Sequence, residues 1–122
     1  MRISDNNPQS MDAGQAILIH SVKNTIFLAP PDITFLEGEG NYTYIYTYSG
    51  KKYLVARTIK NLHMSLNESN DFVRIHKSYL INTNHIVDYA GQDRTITMAG
   101  GKEVLVSRRK SREISEILSA VL

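Results

Sequence analysis

Hydrophobic and polar residues alternate in short runs along most of the chain, which is the pattern of half-buried β-strands. The clearest run is 42–48, which puts four tyrosines on one face and leaves on the other face Thr43, Ile45 and Thr47. Two earlier runs, 16–21 and 25–28, predict a hairpin. Pro30-Pro31 then interrupts pairing, and 32–37 predicts the next strand.

The remaining runs are short and are separated by turn residues. Ser49-Gly50 predicts a two-residue turn into a strand over 51–56, and Gly38–Asn41 predicts a flexible polar loop. Three later runs predict a β-meander, with strands over 85–90, 94–98 and 103–106.

Two segments change to the helical period. Ile59, Leu62 and Leu66 fall at i, i+3 and i+7, which predicts a short helix with Thr58 as its N-cap. The last segment has apolar residues at i, i+3, i+4, i+7 and i+8, namely Ile114, Ile117, Leu118, Val121 and Leu122. The pattern therefore predicts a mainly β fold with one short internal helix and a C-terminal helix.

A polar triplet, His76-Lys77-Ser78, interrupts the otherwise mostly apolar stretch 72–82. Apolar runs become buried, so the triplet should surface as a turn that presents a cation, a ring nitrogen and a hydroxyl together.

Three arginines lie at the predicted start of the C-terminal helix. Ser107 is a suitable N-cap, and it would place at the first turn, off the apolar stripe, Arg108, Arg109 and Arg112. Because the helix dipole opposes cations at that end, an anion is their natural partner.

The 122 residues suffice for one domain, and residues 1–15 are polar without periodicity, which predicts a disordered leader before a domain over 16–122. There are no cysteines, no signal peptide and no apolar run long enough for a membrane helix, so we expect a cytoplasmic protein. The net charge of +2 divides into −3 over residues 1–50 and +5 over 51–122. This asymmetry favours a polyanionic partner for the C-terminal part.

The sequence does not favour an enzyme. Its four histidines lack metal-ligand spacing, and neither a Gly-rich phosphate loop nor a nucleophile motif occurs. We therefore expect no catalysis, no cofactor and no metal.

Nucleic-acid binding fits better, through side chains that suit bases and phosphates on three loops: Glu39, Asn41 and Tyr42; Lys77; and the three arginines. Each has a structural alternative: Asn41 could hold a turn, His76 could pack, and the cations could be solvated. The alternating tyrosines fit a half-buried sheet face or a platform that stacks single-stranded nucleic acid or RNA. A module that docks proteins through sheet edges is a third interpretation.

Four segments together resemble the LytTR DNA-binding domain. They are DITFLE followed by Gly40-Asn41-Tyr42, the helix with Arg57-Thr58-Ile59, the element FVRIHKSYLIN over 72–82, and VLVSRR over 104–109. The resemblance covers about residues 16–122.

The resemblance implies an elongated fold of stacked antiparallel β-sheets with short helices, in a transcription regulator whose loops reach successive major grooves of bent duplex DNA. It implies that Lys77 and Arg109 read bases and that the first loop contributes from Glu39 to Tyr42. The residues that would hold the DNA backbone or brace the loops are His76, Ser78, Tyr79, Ser107, Arg108 and Arg112. A homodimer on repeated sites would fit such a regulator.

The sequence departs from the family pattern in three places. Many relatives have arginine at position 77, and lysine lacks the planar fork that binds guanine bidentately. The first loop lacks the histidine that some relatives use, which leaves Asn41 or Glu39 as its reader. A 15-residue leader cannot be a receiver domain, so the sequence is either a stand-alone regulator or a fragment, and we expect a stand-alone regulator.

Overall fold

The computed structural model describes residues 17–21, 25–66 and 71–121. The predicted leader over residues 1–15 lies outside these ranges. In chain order the strands and helices are β1 Ile17–His20, β2 Thr25–Leu28, β3 Ile33–Glu39, β4 Tyr42–Thr47, β5 Lys52–Val55, α1 Ile59–Ser65, β6 Phe72–His76, β7 Tyr79–Asn82, β8 Ile86–Ala90, β9 Thr95–Met98, β10 Glu103–Leu105 and α2 Ser111–Val121.

The strands form three antiparallel sheets. The central sheet has five strands in the order β5-β4-β3-β7-β6, the hairpin β1-β2 forms a second sheet, and β10-β9-β8 forms the third. An isolated bridge between Ser21 and Val55 connects the hairpin to the edge of the central sheet. The predicted mainly β fold with two helices is confirmed.

The central sheet has a hydrophobic core on each face. One core packs Leu36 and Leu80 against the hairpin and against Leu62 of α1. The other packs Phe35 and Ile81 against the third sheet and α2, through residues that include Ile96, Met98, Ile114 and Leu118. Because the central sheet is covered on both faces, consecutive residues of an inner strand are buried, as the run Ile33–Leu36 of β3 illustrates.

A bulge in β3 lets neighbouring residues serve both cores. The pairing with β4 shifts between Ile33 and Phe35, and Ile33 and Leu36 consequently share one face although they are three residues apart. The hydroxyl of Thr34, at the shift, donates to the Tyr46 carbonyl at 3.1 Å. The buried polar group is therefore satisfied.

Both helices form where the periodicity predicts them. The Thr58 hydroxyl caps α1 by accepting from the Asn61 backbone N–H at 3.1 Å. In α2, Ile114 and Leu118 are buried, as the i, i+4 spacing predicts.

Two predicted loops differ from the structure. Gly38 and Glu39 are not part of a flexible loop but continue β3, since they pair with Thr43 and Tyr42. The connection is thereby reduced to the tight turn Gly40-Asn41, where Gly40 takes the positive φ of 64° that glycine tolerates. The second difference is the turn after β4, which comprises residues 48–51 rather than two residues.

Gly38 is required by a close approach between β3 and α1. A Cβ atom at this position would lie 2.9 Å from Cδ1 and 3.2 Å from Cγ1 of Ile59. Since Ile59 is buried, it has little room to move. The absence of a side chain at residue 38 therefore sets how closely the start of α1 approaches the end of β3.

We predict that Gly38→Ala lowers the free energy of unfolding by about 1–3 kcal/mol, because the added methyl overpacks this contact. Gly91→Ala is the matched control, since its Cβ would meet its nearest atoms at 3.6 Å or more. Urea denaturation measures both. Ile59→Val removes the clashing Cδ1, so it should recover part of the loss in the double variant; a loss unaffected by Ile59→Val would contradict this account.

Candidate nucleic-acid interface

Three turns meet at one end of the central sheet. Gly40-Asn41 connects β3 to β4, and Lys77-Ser78 connects β6 to β7. These two turns are neighbours because β3 pairs with β7, and the Gly38 N–H donates to the Ser78 carbonyl at 2.9 Å. The third, Ser107–Lys110, is held against β6, where the Ser107 N–H donates to the Ile75 carbonyl at 2.8 Å. We call these three segments the three-turn surface.

Lys77 is exposed at the tip of the β6–β7 turn. His76 supports this turn, since its Nδ1 accepts a hydrogen bond from the Ser78 N–H at 3.0 Å. An accepting Nδ1 carries no proton, so this contact requires the neutral imidazole with its proton on Nε2. His76 thus holds the backbone of the turn.

Tyr79 braces the same turn from the sheet. Its ring centroid lies 5.7 Å from that of His76, and its hydroxyl donates to the Glu37 carboxylate at 3.3 Å. Tyr46 donates to the other oxygen of Glu37 at 3.0 Å. Burial, together with this carboxylate, raises the pKa of Tyr46 to about 12 and also raises the pKa of Tyr79. Both phenols therefore remain protonated donors at neutral pH.

Ser107 caps a turn of a different kind from the one predicted. Its hydroxyl accepts from the Lys110 N–H at 3.3 Å, and this closes a 3₁₀ turn, Arg108–Lys110, in front of α2. The α-helix begins only at Ser111. Arg108 and Arg109 are therefore exposed on the 3₁₀ turn, and of the three arginines only Arg112 lies in the first turn of α2, also exposed.

The first turn and the residues beside it are exposed. Glu39, Gly40 and Asn41 are exposed, and Tyr42 is 46% exposed. Glu39 and Tyr42 also line a shallow depression with Tyr44 and Leu54.

Two clefts connect the turns. One, of about 420 Å³, lies between the second and third turns and is lined by Arg74, His76, Lys77, Ser107, Arg109 and Lys110. The other lies between the first two turns and the start of α1, and its lining includes Gly38, Gly40, Thr58, Lys60, Lys77 and Ser78. The surface is cationic and concave, as expected for a site that receives a polyanion.

The family model of the LytTr DNA-binding domain matches residues 23–119. The chain belongs to the LytTR family. It is 28% identical over 114 residues to the sensory transduction protein LytT of Bacillus subtilis (strain 168), an alignment that covers 90% of this chain and 46% of LytT. The chain thus spans about half the length of this relative.

A solved structure has the same fold. It is the LytTr DNA-binding domain of a Bacillus cereus protein described as a methyl-accepting/DNA response regulator, with a TM-score of 0.70 and 20% identity over 85% of this chain and 96% of that one. At 20% identity, the two domains share the fold.

The LytTR domain has three cations at the three-turn surface that sequence reasoning did not single out. Arg74 and Lys60 line the clefts, and Lys110 lies between Arg109 and α2. Arg74 belongs to the element over 72–82, and a cation just before a polar turn is a signal that could have identified it from the sequence. Lys60 has no such signal, because only the packing of α1 against Gly38 brings it near Lys77.

The tyrosine face does not form a continuous platform. Tyr46 is half-buried and stacks on Phe35 with centroids 4.2 Å apart, and Lys52 Nζ lies 4.8 Å from the centroid of Tyr44. Among the four, only Tyr42 and Tyr48 are exposed, and they lie at opposite ends of the run. This agrees with the half-buried sheet face that was one of the two interpretations.

Within the described ranges, no group of three or more histidines and carboxylates could hold a metal ion. No helix among those residues is long and apolar enough to cross a membrane.

We predict that acidification destabilises the free protein through His76. Burial lowers the pKa of His76, and nearby cations lower it further, namely Lys77, Arg74 and Arg94. A pKa lowered by folding means that the unfolded chain binds the proton more readily. Stability is therefore fully present above the unfolded pKa of about 6.5 and falls as the pH decreases below it.

Urea denaturation on both sides of that pH measures the effect. His76→Asn should flatten the decline, since the Asn oxygen can replace Nδ1 as the acceptor but does not titrate. Burial lowers the pKa of His63 as well, so His63→Asn should remove a separate part of the loss of stability at low pH. A pH profile that His76→Asn leaves unchanged would contradict the assigned role.

Proposed function

We propose that this LytTR domain is a sequence-specific duplex-DNA-binding transcription regulator that reads major grooves through the three-turn surface. The observation that carries the proposal is the convergence of the turns at one end of the sheet, with Lys77 and Arg109 exposed. Neither side chain forms a hydrogen bond or ion pair with another described residue. Both cations are thus available to a ligand.

In this proposal Lys77 and Arg109 contact bases. Lysine and arginine suit the O6 and N7 acceptors of guanine, and Asn41 suits adenine. The first turn contributes from Glu39 to Tyr42. Exposed Arg108 and Arg112 contact phosphates, while His76, Ser78, Tyr79 and Ser107 hold the turns, as their hydrogen bonds suggest.

The alternatives have less support. Single-strand stacking requires accessible ring faces, whereas Tyr44 and Tyr46 are covered by neighbours. Docking through a sheet edge is disfavoured at β6, where Ser107 already occupies the Ile75 carbonyl. Binding as a homodimer on repeated sites is compatible with the proposal, and sequencing duplexes selected from a random pool would reveal repeat spacing.

We predict that Arg109→Ala weakens binding to a selected duplex by about 1–3 kcal/mol and has little effect on random DNA, as expected for a base contact. Arg108→Ala is the matched comparison on the same 3₁₀ turn. Because Arg108 is proposed to contact a phosphate, Arg108→Ala should weaken binding to both DNAs about equally and reduce the salt slope. Fluorescence anisotropy titrations measure all four affinities; equal losses for Arg109→Ala would make it a phosphate contact.

We also predict that affinity falls steeply with salt, since about 0.9 counterions are released for each phosphate neutralised on duplex DNA. Titrations over a series of salt concentrations give the slope. Unlabelled poly(dT) serves as the competitor in the same assay. A flat profile, or poly(dT) competing better than duplex, would contradict duplex recognition.

A further inference from the structure

We infer that Arg74 is a positioning residue that fixes Lys77 and Arg109 relative to each other. The inference rests on the proposed function, because it concerns how the two base-reading side chains are held. Arg74 lies on β6, three residues before Lys77, and is half-buried.

The side chain of Arg74 closes the β6–β7 turn. Its Nε donates to the His76 carbonyl at 2.9 Å, and its Nη2 donates to the Lys77 carbonyl at 2.6 Å. One planar guanidinium thus spans two consecutive carbonyls, where charge-assisted hydrogen bonds are stronger than neutral ones. A lysine has a single ammonium and cannot reproduce this fork.

The same contacts change the charge that the turn presents. Two carbonyl oxygens at a turn tip would place partial negative charges beside DNA phosphates. With the guanidinium bound to them, these dipoles are compensated, and the Lys77 side chain remains exposed.

The main chain of Arg74 is attached to the third turn. The Lys110 ammonium donates to the Arg74 carbonyl at 3.0 Å, and the adjacent Ile75 carbonyl accepts from the Ser107 N–H at 2.8 Å. Arg109 lies between Ser107 and Lys110. Residue 74 therefore holds the Lys77 turn through its side chain and the Arg109 turn through its backbone.

The competing role for Arg74 is a direct phosphate contact, since it lines both clefts. The two roles predict different losses of affinity when Arg74 is replaced, and the losses differ in their dependence on salt and on DNA sequence. A phosphate contact weakens all DNA about equally and lowers the salt slope by about 1. Replacing a positioning residue weakens binding to the selected site only, and the salt slope stays the same because the number of neutralised phosphates does not change.

The test compares Arg74→Lys with Arg57→Lys, each of which keeps its charge and removes a fork. Arg57 is also half-buried, and it donates to Asn61 Oδ1 at 2.5 Å and Ser65 Oγ at 2.7 Å, on α1. Arg74→Lys should lose about ten- to hundredfold in affinity for the selected duplex, the range expected for hydrogen bonds to a charged group. Random-DNA affinity and salt slope should stay as in the wild type, and Arg57→Lys should lose no affinity.

Amide hydrogen exchange in the free protein gives a readout that does not depend on DNA. The Ser78 and Gly38 N–H groups are hydrogen-bonded at this turn. Their exchange should accelerate in Arg74→Lys and stay unchanged in Arg57→Lys. If the wild type prefers no duplex, the proposed function fails, and exchange alone decides whether Arg74 holds the turn.

Lys110→Met provides a second variant that keeps an apolar stem and removes the ammonium. Thermal unfolding reports whether each variant folds. If Arg74→Lys does not fold, Lys110→Met tests the inference, because it should lose affinity for the selected duplex and not for random DNA. When both fold, the double variant should lose less than the sum of the single losses, since both act on one connection. Unchanged exchange and affinity, or equal losses on both DNAs with a reduced slope, would overturn the inference.

Discussion

The arrangement of the three-turn surface depends on strand β3, which lies between β4 and β7. Its last residues pair on one side with Thr43 and Tyr42, and on the other its Gly38 N–H reaches the Ser78 carbonyl. This shared strand sets two turns that are far apart in sequence beside each other. Because both faces of β3 are buried, a one-residue slip in register would exchange its two cores, and the pairing is accordingly well determined.

The absence of a side chain at Gly38 extends this constraint to α1. The close contact with Ile59 lets the helix begin beside the β6–β7 turn and brings Lys60 into the cleft with Lys77. A single strand thus positions both neighbouring turns and the helix that flanks them. The third turn joins through β6, by the hydrogen bond from Ser107 to Ile75.

Elements with a complete hydrophobic period were predictable from the sequence. The strand over 42–47 and both helices follow directly from the spacing of buried residues such as Leu62, Ile114 and Leu118. Turn lengths were less predictable: Gly38-Glu39 has the composition of a loop, yet both residues pair with β4, and the Gly38 N–H also donates to the Ser78 carbonyl. Glycine signals a turn or a close approach equally well, and only the tertiary contact with Ile59 decides which applies.

The basic residues of the surface differ in their hydrogen bonding, which composition alone does not predict. A count of cations treats Arg74, Lys110, Lys77 and Arg109 alike, although the first two donate to backbone carbonyls and the last two have no side-chain partner among the described residues. A cation bound to carbonyls contributes order and compensates dipoles, whereas an unpartnered cation offers its charge to a ligand. Charge asymmetry therefore marks a region suited to a polyanion, but hydrogen-bond geometry is needed to separate the cations that hold the surface from those without a side-chain partner among the described residues.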